Sequence, residues 1–167
     1  MRGIVEQINI SPGGVPKLPV AEAFVSTQGI RGDSWAHPHV HGGPLQALLL
    51  ISTGDLDQLI ADGFPVFPGA LGENLTISGI DFRALRARQR WRVGPVVLEL
   101  TKLRVPCRTL DRYNTNGQRI QEQLYDAQAK AGDSTTPRWA RGGFYASVLR
   151  EGIIRAKDII ELSDYAV

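Results

Sequence analysis

The sequence predicts a mainly β protein, a β-barrel with a few short peripheral helices. Three observations point there. The chain holds 18 glycines and 10 prolines in 167 residues, about 17% against an average near 12%, so turns are frequent and elements short. Apolar runs of strand length recur at close spacing from one end to the other. Helical periodicity shows in only two short stretches. The length suits a single domain spanning 1–167.

Taken in order, Gly3 to Asn9 reads as a first strand, closed by the turn residues Ser11-Pro12-Gly13-Gly14. Ala21 to Ser26 is a second strand. Gln28 to Pro44 carries all three histidines among glycines and prolines, and reads as a structured loop. Ala47 to Ile51 is a continuous apolar run, a strand buried on both sides. Thr53 is placed to cap a helix with Leu56, Leu59 and Ile60 on one face and Gly63 as its stop. After a loop over Pro65 to Gly72, Leu75 to Ile77 is a short strand. Alternation over Arg86 to Val93 puts the arginines on one wet side of a strand. Trp91 to Val93 and Val96 to Thr101 then form a hairpin around Gly94-Pro95. Ile120, Leu124, Ala127 and Ala131 share one helical face, stopped at Gly132. Phe144 to Leu149 and Ile159 to Leu162 are the last strands.

Composition narrows the function. Hydrophobic residues at 43% and charged residues at 22% are ordinary for a folded soluble chain. No apolar run approaches the roughly 20 residues that span a bilayer, and Met1 to Glu6 contains no signal-peptide core. A single cysteine, Cys107, excludes an intrachain disulfide and suits a reducing cytoplasm. Between Arg83 and Arg112 nine Lys/Arg stand against two acids, so this stretch carries +7 and the rest of the chain −5. Such a block is either a solvated face or a site for an anion.

The residues able to do chemistry lie in a few places. Val96, Leu98 and Leu100 share one strand parity, continued by Lys102 and Arg104, which describes a barrel mouth lined for an anion. Pro106 ends that strand and presents Cys107 between Arg104 and Arg108, where a thiolate would be favoured. The alternative is an inert cysteine acting as a small hydrophobe. His37, His39 and His41 alternate and could bind a divalent ion, although three ligands within five residues seldom close a tetrahedron. His41 precedes Gly42-Gly43-Pro44, where the backbone can approach a ligand closely. Glu73-Asn74 is either turn chemistry or a hydrogen-bonding pair that orients a ligand or loop. Gly29 to Asp33 is a tight turn or the carrier of a ligand-facing Asp33. A Cys107–His41 hydrolase would lack an identifiable oxyanion hole. Walker A, GxGxxG, HExxH and GxSxG motifs are all absent.

In this order, Gly29-Ile30-Arg31-Gly32-Asp33, His41-Gly42-Gly43-Pro44, Pro68 to Leu75, Arg104-Val105-Pro106-Cys107 and Gly142 to Leu149 resemble the MOSC family, named after the C-terminal domain of molybdenum-cofactor sulfurase. The likeness runs from about Gly3 to Leu162. It implies a β-barrel and a cytoplasmic protein handling the molybdenum cofactor (molybdopterin) or sulfur. Family members that use the cofactor reduce N-hydroxylated compounds, with the matching cysteine as molybdenum ligand or persulfide carrier. Carried over, Cys107 is the metal ligand, and Cys107, Arg104 and His41 form the catalytic set. Arg31, Asp33, Gly42, Gly43, Glu73, Asn74, Lys102 and Arg108 line or brace the cofactor pocket. The expected partners are a small-molecule substrate or sulfur donor and a separate flavin or iron–sulfur redox protein. Nucleic acid is a third-ranked alternative, and neither a membrane nor pyridoxal phosphate is favoured. Two positions depart from the family's habit: Ala156-Lys157-Asp158 stands where a Gly-Asp pair is common, and Ser34-Trp35 follows the Gly-Asp turn.

Overall fold

The computed structural model describes residues 1–34 and 42–163. Eleven strands run through them: β1 Arg2–Ile10, β2 Leu18–Val20, β3 Glu22–Ser26, β4 Gly29–Ile30, β5 Leu48–Ser52, β6 Leu75–Ser78, β7 Arg90–Val93, β8 Val96–Leu103, β9 Phe144–Arg150, β10 Gly152–Arg155 and β11 Ile159–Leu162. Three short helices accompany them, α1 Thr53–Ala61, α2 Ile120–Leu124 and α3 Ala127–Lys130. The strands pair in the order β11-β7-β8-β9-β5-β6-β1, and β1 returns to β11, so seven strands close a barrel. Closure leaves no free edge on that sheet. The second half of β1 pairs with β2 instead, and β10-β3-β4 form a small separate sheet. All pairings are antiparallel except β5–β6, which α1 connects as a crossover.

Strand alternation builds the interior. Val5, Ile8, Leu48, Leu50, Leu98, Leu100, Phe144 and Ala146 all belong to one buried cluster inside the barrel. A second cluster on the outside joins Ile51, Leu56, Leu59, Leu71, Leu110, Ile120 and Leu124, so α1 and α2 seat against the barrel wall. Both faces of β5 are therefore covered, which is why its sequence is continuously apolar.

Several expectations shift. Ser52 rather than Thr53 caps α1, its Oγ accepting from Asp55 N at 3.0 Å, and Ile60 is exposed. The arginine alternation begins only at Arg90. Arg88 adopts a left-handed φ of +71°, and the Arg86 guanidinium turns back to the Arg83 and Leu85 carbonyls. The expected single helix over 120–131 is two, because Asp126 caps a fresh start through Ala129 N. Ala129 is buried there in place of Ala127 and Ala131. Strands β2, β4 and β10 carry no strong sequence signal. At Ala156-Lys157-Asp158 the turn forms without glycine: Lys157 takes φ +76° and its N–H donates to Val5 O.

Candidate functional site

A bulge in β8 decides where the site forms. Leu100 pairs with Ala146 and Lys102 with Tyr145, leaving Thr101 unpaired, its hydroxyl donating to Leu45 O and Tyr145 O. One extra residue reverses the side-chain parity beyond it. Leu103, not Lys102, then packs on the interior cluster, and Lys102 is exposed. The barrel mouth is thus not lined by the Lys102–Arg104 series. Arg104 lies past the strand, buried on the barrel's outer flank, where Nη2 donates to Leu71 O at 3.0 Å.

Leu49 and Tyr145 pair across β5 and β9, and their neighbours Leu48, Leu50, Phe144 and Ala146 point inward. Both therefore face outward and floor a cleft with about 70 Å³ of room. Its walls are Gly14, Val15 and Lys17 from the β1–β2 loop, Leu71, Gly72 and Asn74 ahead of β6, and Arg104, Cys107, Thr109 and Leu110 after β8. Ser34 and Gln46 complete it. Cys107 is half-buried, and its thiol donates to Thr109 Oγ1 at 3.1 Å. Arg104 Nη1 is sealed from solvent without a partner. Burial, foremost, lowers the Arg104 pKa, so its charge is held at a cost. Burial likewise raises the Tyr145 pKa, which keeps that phenol protonated at neutral pH.

A polar layer behind the cleft fixes its walls. Asp33 accepts from both Ser11 N at 2.9 Å and Asn74 Nδ2 at 2.8 Å, and pairs with Lys17 Nζ through both oxygens. The two side chains are 2% and 5% exposed, so this ion pair is buried. Among the described residues Lys17 Nζ has no other partner, so one of its three ammonium protons is left on the cleft side. Asn74 also accepts from Leu49 N at 3.1 Å. Glu73 is fully buried behind Asn74, with Oε1 accepting from Gly69 N at 2.6 Å and Thr76 Oγ1 at 3.2 Å, and Oε2 has no partner. Burial pushes its pKa to about 7. At Gly69 a Cβ would sit 2.1 Å from Lys17 O, so only glycine lets the two loops meet.

The sequence-derived residues divide accordingly. Cys107, Arg104 and Asn74 line the cleft, while Asp33 and Glu73 brace it. Lys102 and Arg108 do not line it: Lys102 is exposed and the Arg108 side chain is 94% exposed. Arg31 lies over the Phe24 ring at 4.0 Å, away from the cleft. Gly42 and Gly43 take φ of +106° and +85° and do not line the cleft; Gly43 O receives Gln46 N. His37, His39 and His41 lie outside the described residues, so neither the metal trio nor the catalytic role of His41 has a structural placement here. Among the described residues no group of three His, Cys, Asp or Glu side chains could hold a metal ion. No helix there is long and apolar enough to cross a membrane. Sequence reasoning missed Lys17 and Tyr145. Tyr145 stands within the Gly142 to Leu149 motif, whereas nothing local marks Lys17.

Comparison with solved structures gives the same barrel. YiiM from Geobacillus stearothermophilus superposes with a TM-score of 0.69 at 23% identity, covering 99% of this chain and 77% of that one. The YuaD protein from Bacillus subtilis gives 0.69 at 19% identity, covering 99% and 98%. YiiM from Escherichia coli gives 0.66 at 21%, covering 99% and 71%. No curated protein matches. The MOSC domain family, associated with molybdenum-cofactor binding and sulfuration, matches residues 37–161, about three quarters of the chain. With Arg104 and Cys107 of the Arg104-Val105-Pro106-Cys107 motif set against one cleft on such a barrel, the chain belongs to the MOSC domain family.

Proposed function

We propose that the protein binds the molybdenum cofactor at the Cys107 cleft and reduces N-hydroxylated bases or related small molecules, with Cys107 as the molybdenum ligand. The observation that carries this reading is a half-buried thiol sharing one cleft with a buried cation that no carboxylate contacts among the described residues. A thiolate suits a soft metal centre, and free guanidinium or ammonium protons suit the anionic oxygens of a pterin phosphate. The residues fit the metal-bearing end of the group: Cys107 Sγ for the metal, Arg104 and Lys17 for anionic oxygen. Bound there, the cofactor would supply the two electrons for N–O cleavage, received from a separate flavin or iron–sulfur protein.

Overall, R–NHOH, two electrons and two protons give R–NH₂ and water. This chain's own part is to orient the reactants and hold a proton. Leu49, Leu71 and Leu110 exclude water from one wall. Tyr145 Oη, kept protonated at neutral pH, is a hydrogen-bond donor for the departing oxygen. Lys17, clamped by Asp33, presents its remaining N–H without rotamer freedom.

Sulfur carriage on the same thiol is the second reading, favoured by the partial exposure of Cys107. It predicts a gain of one sulfur on Cys107 after treatment with a cysteine desulfurase. Nucleic-acid binding has less support, because Arg83, Arg90 and Arg92 pair with Asp81, Glu99 and Glu161. The deciding experiment is metal analysis of protein made in a cofactor-competent host, together with reduction of a hydroxylaminopurine. Near-stoichiometric molybdenum and turnover, both lost in Cys107→Ala, are expected. Wild-type protein without molybdenum would overturn the reductase reading.

A further inference from the structure

A second concavity lies on the reverse side of the same ribbon. Leu103 and Phe144 form the last pair of β8 and β9 and face the barrel interior, while the next residue of β9, Tyr145, faces the Cys107 cleft. Around Leu103 and Phe144, at that end of the barrel, the side chains of Trp139, Ala129 and Val105 form an apolar bowl of about 470 Å³. That volume is within the usual small-molecule range of about 300–1,000 Å³. Trp139 meets Phe144 edge-on at 6.2 Å, and its indole N–H is already used on Leu85 O at 2.9 Å. The aromatic surface left over is apolar.

Two cations stand on the rim without counter-ions among the described residues. The Arg86 guanidinium lies 5.3 Å from the Trp139 ring and, among the described residues, donates only to neutral oxygens, the carbonyls of Arg83 and Leu85 and the hydroxyl of Ser134. The Lys102 ammonium has no hydrogen bond or ion pair among the described residues. Asp126, beside the bowl's Tyr125, is engaged with Ala129 N, Thr136 Oγ1 and Arg138. An apolar bowl with uncompensated positive charge at its lip matches a molecule with an apolar body and one anionic group.

We infer that this bowl is a second binding site, separate from the Cys107 cleft, for a small amphiphilic anion such as an aromatic carboxylate. The apolar body rests on Leu103, Val105 and Tyr125, over the buried Trp139 and Phe144, and the carboxylate meets Lys102 and Arg86. The site does not depend on the molybdenum reading.

The probe is 1-naphthoate, titrated calorimetrically against the full chain, with 1-naphthalenemethanol as its neutral counterpart. Expected is saturable binding of the anion, at least tenfold weaker for the alcohol, and weakened about fivefold or more by Lys102→Gln or by Arg86→Gln. Lys102 is exposed, so Lys102→Gln is free of folding effects even if Arg86→Gln is not. Cys107→Ser is expected to bind naphthoate as the wild type does. The inference is overturned by no saturable binding at millimolar naphthoate. Equal affinity for the alcohol, indifference to Lys102→Gln, or loss of binding in Cys107→Ser would overturn it as well.

Discussion

Ile8 and Asn9 are neighbours on β1 and both are fully buried, yet they belong to different kinds of interior. Ile8 enters the barrel and joins its apolar cluster. Asn9 faces the outer flank and donates to Thr76 Oγ1, in a layer where Lys17, Asp33, Glu73, Asn74 and Arg104 are also buried. The same alternation separates Leu50 from Leu49 and Phe144 from Tyr145. A barrel position asks only for apolar volume, so many residues satisfy it. A flank position asks for one particular donor or acceptor, and an unmet one is costly. Burial without interchangeability is what a binding site needs from its walls.

The largest effect should come from breaking the buried ion pair. Asp33→Ala leaves the Lys17 ammonium uncompensated and is expected to cost about 3–5 kcal/mol in urea unfolding. Leu98→Ala, inside the barrel, should cost about 2–5 kcal/mol by leaving a cavity. The sharper contrast is between same-size changes: Leu98→Met should stay below about 1.5 kcal/mol. Asp33→Asn, although isosteric, should exceed it. Equal costs would abolish the distinction between the two interiors.

Next comes pH. Glu73 titrates near 7 in the folded chain against an ordinary 4.5, because burial penalises its charge. The stability it contributes is fully present below about 4.5 and is lost as pH rises through 7. The loss is about 3 kcal/mol at most. Glu73→Gln should flatten that slope between pH 5 and 8, and an unchanged slope would assign it to other groups. Smaller still is Arg104→Gln. It removes a charge that burial already disfavours, so stability should change by no more than about 1 kcal/mol. Arg108→Gln, on a 94% exposed side chain, should fall within about 0.5 kcal/mol.

The barrel was legible because its strands carry local signals. Continuous burial of β5, the Gly94-Pro95 hairpin and the alternation of Val96, Leu98 and Leu100 each follow from a few adjacent residues. Short β2 and β10 were not, since three or four residues hold little periodicity. Cys107, Arg104 and Asn74 could be named from motifs, but which cation joins them could not. That choice rests on Thr101, an ordinary strand residue whose hydroxyl reaches Leu45 O, a contact between positions 56 apart. Lys17 was hidden for the same reason: its partner Asp33 is 16 residues away, and its place in the cleft depends on the close approach at Gly69.

Arg104 and Arg108 both stand near Cys107 in sequence, and only Arg104 lines its cleft in the fold. The most direct test of the account is therefore molybdenum per chain in Arg104→Gln beside Arg108→Gln, each purified from a cofactor-competent host with wild-type protein. The account predicts near-stoichiometric metal in the wild type and in Arg108→Gln, with most of it lost in Arg104→Gln. Equal metal in the two variants, or loss in Arg108→Gln alone, would contradict it.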